Sequence, residues 1–193
     1  MLDPVIFSIF GIEIYWYGLF YVIGFLFAYF FILKFSSEFG FSKEKIEDII
    51  FWTMLFGILG GRLGHILFYD PIYYFSNLSE IIRVDKGGMS IHGGLIGAIV
   101  TLYYFSWKDK LDFLKLTDLF VIPTALALAF GRLANFINQE LVGNVTSSSL
   151  GVVFPLYDDK VRWPSTIFES IKNMITFQIL IYLFFFNCFY FIF

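Results

Sequence analysis

Two arginines and one histidine stand inside otherwise apolar stretches of the chain, and residues of these types can act on phosphates and protons. Arg62 and Arg132 each follow a glycine, and His92 lies within a run of glycines and small residues. Arginine binds phosphate through two parallel hydrogen bonds. An imidazole that titrates near neutrality is a natural base for a thiol. These residues predict a lipid-phosphate site with a candidate base and leave the reaction open.

Each of these residues also has a structural interpretation. An arginine in a membrane span can extend its charged group to the lipid head groups, and a lone histidine in an apolar helix is usually packed and hydrogen-bonded. Arg132 indicates a site more strongly than Arg62, because polar residues follow it at helical spacing. Asn135 and Gln139 stand three and seven residues later, which predicts one polar stripe on a helix.

Glycines at four-residue spacing accompany these residues. The segment 57–64 contains two overlapping pairs, and Gly93 and Gly97 form a third. Such pairs let helix backbones approach closely, although the glycines beside His92 also leave room for a ligand. The tripeptide Gly-Arg-Leu occurs at 61–63 and again at 131–133. Two matched arginines would suit a phosphate, but chance also explains three identical residues.

The composition predicts an all-α, polytopic membrane protein. Hydrophobic residues make up 59% of the 193 residues and charged residues 15%, with a mean hydropathy of +0.77. Soluble domains are nearer half apolar and a quarter charged. Backbone groups in lipid must be hydrogen-bonded within one element, so the spans are helices. Runs long enough to cross a bilayer predict about five spans in a single membrane domain over 1–193, at 14–33, 49–69, 88–107, 116–137 and 166–193.

Lysines and arginines in the loops predict the orientation of these spans. Six lie in the loops after spans one and three, and four lie in the loops after spans two and four. This bias favours an N-terminus outside. The polar residues of the spans then lie near the outer face, whereas the inner halves are nearly all apolar. A small transporter or channel with an anion site remains an alternative, although a conduction path needs polar residues through the whole membrane depth.

Several other classes of function are disfavoured. A net charge of −3 is too small to imply a nucleic-acid partner. Cys188 is the one cysteine, which rules out an internal disulfide, and His65 and His92 are too few for a histidine-based metal site. The first apolar run lacks preceding basic residues, so we expect it to be a span rather than a signal peptide.

Four segments together resemble the prolipoprotein diacylglyceryl transferase family. The resemblance covers residues 1 to about 171 and keeps the family's motif order. The most specific are GGMSIHGGLIG at 87–97 and GRLANFINQELVG at 131–143, with YWYGL at 15–19 and GGRLG at 60–64 in support. The resemblance implies an enzyme that moves the diacylglyceryl group of phosphatidylglycerol onto the lipobox cysteine of a preprolipoprotein. It also implies action within the lipid bilayer, at the outer face of the bacterial inner membrane, and it implies no metal and no organic cofactor.

The resemblance also implies roles for individual residues. His92 matches a proposed base for the thiol, and Arg132 matches an arginine near the lipid phosphate. Arg62 lies in a family-typical motif and is assigned supporting substrate contact. The catalytic set implied by the match is His92, Tyr17, Asn135 and Glu140, and the substrate-binding set is Arg132, Arg62, Asn138 and Gly143.

The chain also departs from the family's pattern. Ala134 stands where glycine is usual, and the segment RWPSTIFE at 162–169 changes the His, Gln and Tyr of an Arg-His-Pro-Ser-Gln-Leu-Tyr-Glu motif and has Ile for its Leu. Family members usually continue for two more spans, which carry a second arginine and a glutamate. We therefore expect a C-terminally truncated member whose Phe-rich final span, 172–193, is atypical, with a frameshift as one hypothesis. An inactive family member is the corresponding alternative.

Overall fold

Helices make up most of the chain, as the apolar runs predict. The computed structural model describes residues 3–83 and 87–186, so Cys188 and the end of the fifth predicted span lie outside the described residues. Within the described ranges the helices are α1 (Trp16–Phe35), α2 (Lys43–Phe68), α3 (Pro71–Ser76), α4 (Ile91–Asp109), α5 (Phe113–Ile137) and α6 (Ser165–Phe185). Short 3-10 turns occupy Ser36–Phe39 and Leu78–Glu80.

Four of the described helical segments are long and apolar enough to cross a membrane. They are Trp16–Phe39, Lys43–Phe68, Phe113–Ile137 and Ser165–Phe185. Helix α4 coincides with the third predicted span but is not among the four, because glycines and polar ends lower its hydropathy. The predicted class, a polytopic helical membrane protein, is confirmed. A fifth span and an outside N-terminus stay predictions.

Two short hairpins were not predicted. Strands β1 (Val5–Ile9) and β2 (Ile12–Tyr15) pair antiparallel immediately before α1, and β3 (Val152–Phe154) and β4 (Asp158–Arg162) pair between α5 and α6. The first turn consists of Phe10 and Gly11, both with positive φ, the backbone that tight hairpins require. Residues 14 and 15 therefore belong to β2 and not to the first helix.

The described residues fall into two compact units, Met1–Ile32 with Asp118–Phe193 and Leu33–Thr117. In the first unit, α5 packs against both α1 and α6. A Cβ added to Gly24 would lie 3.3 Å from the Cβ of Ala127, so α1 approaches α5 closely. The buried Ser170 hydroxyl donates to the carbonyl oxygen of Ala129 at 2.9 Å, which joins α6 to α5.

In the second unit, α2 and α4 cross at the paired glycines. A Cβ added to Gly60 would collide with the carbonyl oxygen of Gly93, and one added to Gly97 would collide with that of Phe56. A Cβ on Gly64 would lie 2.9 Å from the Cα of Gly93. These approaches leave no space for a side chain, so the close-packing interpretation of the glycine pairs is confirmed.

Candidate functional site

Arg132 forms an ion pair near the end of α5. Its Nε lies 2.7 Å from Oε2 of Glu169 on α6, and the two side chains are 33% and 42% exposed. Among the described residues no protein acceptor binds its two Nη atoms. The guanidinium is therefore held at one edge and free to bind an anion at the other. The sequence pattern did not identify Glu169 as a site residue, although the motif at 162–169 contains it.

Two amides hold the carboxylate of Glu140 beside this helix end. The Nδ2 of Asn135 donates to Oε2 of Glu140 at 3.0 Å, and the Nδ2 of Asn138 donates to Oε1 at 3.2 Å. Each carboxylate oxygen thus has its own donor. The Oδ1 of Asn138 is buried without a hydrogen-bond partner in the described part of the chain. Such an acceptor is uncommon in folded proteins and often marks a functional position.

The prediction that Gln139 lies on one helix face with Arg132 and Asn135 is wrong. Helix α5 ends at Ile137, and Gln139 has a φ of +58°, in the left-handed region. The residue is 7% exposed, and its Oε1 accepts a hydrogen bond from the backbone N–H of Leu156 at 2.7 Å. The left-handed turn that ends the helix moves Gln139 away from the face of Arg132, and Gln139 instead holds the following loop.

Tyr17 belongs to the same cluster. It is half-buried near the start of α1, and its hydroxyl lies 3.1 Å from the hydroxyl of Tyr21. A Cβ added to Gly131 would lie 4.0 Å from the Tyr21 hydroxyl. The first unit therefore brings Tyr17 together with the polar residues at the end of α5.

Gly143 lies where two chain segments touch. A Cβ added to it would lie 2.6 Å from the carbonyl oxygen of Trp163, which accepts a hydrogen bond from the Gly143 N–H at 3.0 Å. Nη1 of Arg162 donates to the Gly143 carbonyl at 3.1 Å. The structure thus gives Gly143 a packing role that positions the loop containing Glu140. Its assignment to substrate binding stays a prediction.

Arg62 is buried in a cage of backbone carbonyls. The residue is 6% exposed, and its guanidinium lies 4.9 Å from the ring of Tyr74. Its five N–H groups donate to the carbonyl oxygens of Ile81 (2.8 Å), Gly87 (2.7 Å), Gly88 (3.0 Å), Glu80 (2.5 Å) and Arg83 (3.1 Å). No donor is left for a phosphate. The geometry supports a positioning role, since the caged segment leads into α4.

His92 is the second residue of α4 and is exposed. The helix start is fixed by Ser90, whose hydroxyl accepts from the N–H of Gly93 at 3.3 Å and whose own N–H donates to the carbonyl of Gly61 at 2.8 Å. The imidazole has no hydrogen-bond partner in the ranges that the structure describes. The packed, hydrogen-bonded interpretation is therefore not supported. That His92 shares a pocket with Arg132 stays a prediction.

These features define a polytopic helical membrane protein with an arginine, a carboxylate and two amides grouped at one helix end. The family model for prolipoprotein diacylglyceryl transferase matches residues 4–192. The chain belongs to this family.

Relatives in three Rickettsia species are similar over nearly the whole chain. A protein of Rickettsia bellii (strain OSU 85-389) is 44% identical over 184 residues, which is 94% of this chain and 70% of the relative. Proteins of Rickettsia typhi and Rickettsia conorii are 44% and 43% identical, each over 94% of this chain and 71% of the relative. All three are named phosphatidylglycerol–prolipoprotein diacylglyceryl transferase.

Proposed function

We propose that this chain transfers the diacylglyceryl group of phosphatidylglycerol to the cysteine thiol in the lipobox of a prolipoprotein, the first step of lipoprotein maturation. The new bond joins the cysteine sulfur to the terminal glyceryl carbon. The bond between that carbon and the phosphate oxygen breaks, and glycerol phosphate leaves with the electron pair. The thiol proton passes to a base. The family match and the names of the relatives support this reaction.

The observation that best supports the proposal is the guanidinium of Arg132. Its Nε is fixed by Glu169 at 2.7 Å, which leaves both Nη atoms to bind two oxygens of one phosphate. Charge builds up on the leaving phosphate as the carbon–oxygen bond breaks. A guanidinium already held in place stabilises that charge without having to reorganise. Arg132 would therefore contribute both to lipid binding and to the bond-breaking step.

The remaining polar residues of the first unit complete this site. The carboxylate of Glu140, held by two asparagine amides, can accept hydrogen bonds from the glycerol hydroxyls of the leaving group. The unpartnered Oδ1 of Asn138 is a second acceptor for such a hydroxyl. Tyr17 supplies a donor on the opposite helix. Phosphatidylglycerol differs from most membrane phospholipids in these head-group hydroxyls, so the acceptors suit its selection.

His92 is proposed as the base that takes the thiol proton. Its imidazole is exposed at the start of α4, where a substrate can reach it. Hydrogen bonds of Ser90 and the caged loop before it fix that helix start. The excess of lysine and arginine in the loops after spans one and three supports a site at the outer leaflet of the bacterial inner membrane.

The test is a lipid-transfer assay on the purified full chain. Radiolabelled phosphatidylglycerol and a lipobox peptide should give a labelled peptide, and His92→Ala and Arg132→Ala should abolish the labelling. The matched controls are His65→Ala, which removes the other histidine, and Lys160→Ala, which removes an exposed cation of β4. Both should retain transfer.

Two outcomes would contradict the proposal. A folded chain that gives no labelled peptide and does not complement a cell depleted of its own transferase would indicate an inactive family member. Solute or ion flux in proteoliposomes, lost in Arg132→Ala and without lipid transfer, would indicate the transporter alternative.

A further inference from the structure

An elongated apolar groove lies along the α2–α4 pair, inside the unit Leu33–Thr117. Its volume is about 760 Å³. Four glycines line it where the two helix backbones touch, and larger apolar side chains stand on either side. The walls include Phe56, Leu63, Leu67, Ile96, Val100 and Tyr104. The groove belongs to a different unit from Arg132, and the proposed transfer reaction does not use it.

The middle of the groove has no polar group available to a ligand. Thr101 is the polar residue there, and its hydroxyl already donates to the carbonyl oxygen of Gly97 at 2.8 Å. The wall residues face outward, with Val100 60% exposed and Leu63 54% exposed. In a membrane, such a surface contacts hydrocarbon, and a groove of this shape fits a single flexible chain.

One end of the groove is positively charged. Lys108, in the last turn of α4, lines it, and the Lys108 Nζ lies 5.8 Å from the ring centroid of Tyr104. The adjacent Asp109 is already paired with Lys45 at 3.3 Å. Lys108 has no acidic partner among the described residues, so its charge remains available to an anion at the membrane surface.

We infer that this groove binds an anionic phospholipid, with one acyl chain along α2 and α4 and the phosphate at Lys108. The stretch of α4 from Gly93 to Lys108 is roughly 22 Å long at the helical rise per residue. One leaflet supplies about half of the ~30 Å hydrocarbon core. The groove is therefore long enough for an acyl chain that starts at Lys108. The bound acyl chain covers the line of glycines where the two helices touch.

A photoactivatable phosphatidic acid with a diazirine in its acyl chain tests this inference. Phosphatidic acid lacks the glycerol head group, so labelling is separate from use of phosphatidylglycerol in the transfer reaction. The full chain is reconstituted into phosphatidylcholine vesicles with this probe, irradiated, and mapped by mass spectrometry. We expect labels on the segment 96–104. Lys108→Gln should lower this labelling about fivefold, the contribution of one lysine near an anionic surface.

Two substitutions separate the groove from its surroundings. Val100→Trp fills the groove and should also lower the labelling, whereas Val22→Trp, on the exposed face of α1 (54% exposed), should not. Lys43→Gln removes a lysine of α2 outside the groove and is the matched control for Lys108→Gln. Equal labelling of all four variants would overturn the inference.

Equal labelling by a photoactivatable phosphatidylcholine would also overturn the inference, because the charge at Lys108 would then not favour an anionic lipid over a zwitterionic one. A groove that stays unlabelled while the face around Val22 reacts would show that protein covers it, which contradicts a lipid occupant.

Discussion

Arg62 and Arg132 occupy the same tripeptide, Gly-Arg-Leu, in two regions that use an arginine in opposite ways. Around Arg62, backbone carbonyls accept hydrogen bonds from all five N–H groups and the residue is buried. Around Arg132, one glutamate holds Nε and a third of the side chain is exposed. An arginine within a span is costly unless it has partners. The first region satisfies the charge internally, and the second leaves part of it for a ligand.

The difference arises from the segment that comes after each helix. After α2 the chain turns through α3 and a 3-10 turn, and this returns a row of carbonyl oxygens to Arg62. After α5 the chain makes a left-handed turn, which presents the side chains of Asn138 and Glu140 instead of backbone carbonyl oxygens. The hypothesis that two matched arginines hold one phosphate is not supported by this geometry. The surroundings decide the role of each arginine.

The largest expected effect is the loss of stability in Arg62→Ala. Several buried carbonyls would lose their donor, and at about 1–3 kcal/mol for each unsatisfied group we expect at least ~3 kcal/mol of destabilisation. For a chain of this size that lowers Tm by roughly 6–12 °C, measurable by thermal unfolding in detergent. An unchanged Tm combined with lost transfer would contradict the positioning role and favour direct substrate contact by Arg62.

Arg132→Lys should show the reverse pattern. Lysine keeps the charge but loses the planar pair of donors, so we expect kcat/KM for lipid transfer to fall roughly 100-fold, as when one partner of a hydrogen-bonded charge pair is truncated. The free energy of unfolding should change by no more than ~1 kcal/mol, because the pair with Glu169 is partly exposed. The shift in Tm should be correspondingly small. A fall in Tm as large as that of Arg62→Ala would erase the contrast between the two regions.

Sequence patterns predicted the contrast between the Arg62 and Arg132 regions only in part. The helical periodicity identified α5 and grouped Arg132 with Asn135, because helix formation and the spacing of residues along one helix face both depend on residues that are close in sequence. It failed at Gln139, since a left-handed turn two residues after the helix end is not visible in the spacing. The cage of Arg62 was not predictable, because its acceptors are backbone carbonyls that every residue possesses.

Elements distant in sequence were missed for a related reason. Glu169 meets Arg132 only when α6 packs on α5, and its sole signal was the motif at 162–169. The two hairpins consist of strands of five residues or fewer, whose alternation is weak beside long apolar runs. The turn at Phe10 and Gly11 contains a glycine, which by itself does not distinguish a hairpin from a loop.

Gly143→Ala should give an intermediate effect and test how the Arg132 region is held. The new Cβ would lie 2.6 Å from the carbonyl oxygen of Trp163, so the two segments must separate. Overpacking of this kind costs about 1–3 kcal/mol, and transfer should fall because the loop containing Glu140 moves. Gly18→Ala is the matched control, since its Cβ would meet nothing within 4 Å. Unchanged Tm and transfer in Gly143→Ala would show that this loop does not position the site.

Glu169→Gln should give the smallest effect and sharpen the role of the carboxylate. Glutamine keeps an oxygen that can accept from Nε of Arg132 but loses the charge, and exposed ion pairs contribute about 0.2–1 kcal/mol. We therefore expect KM for phosphatidylglycerol to rise by up to about fivefold, with kcat nearly unchanged and Tm within roughly 3 °C. Glu169→Ala, which removes the acceptor as well, should raise KM further.

The direction of the change in KM for phosphatidylglycerol distinguishes two roles for Glu169. If the carboxylate orients the guanidinium, its loss weakens phosphate binding, because the two Nη atoms no longer face the lipid together. If the carboxylate instead competes with the phosphate for Arg132, its loss strengthens binding and KM falls. The observed pair uses Nε and leaves both Nη atoms without a protein acceptor among the described residues, the arrangement expected of orientation. A lower KM in Glu169→Gln would contradict it, and Arg132 would then resemble Arg62 as an arginine whose charge the protein neutralises itself.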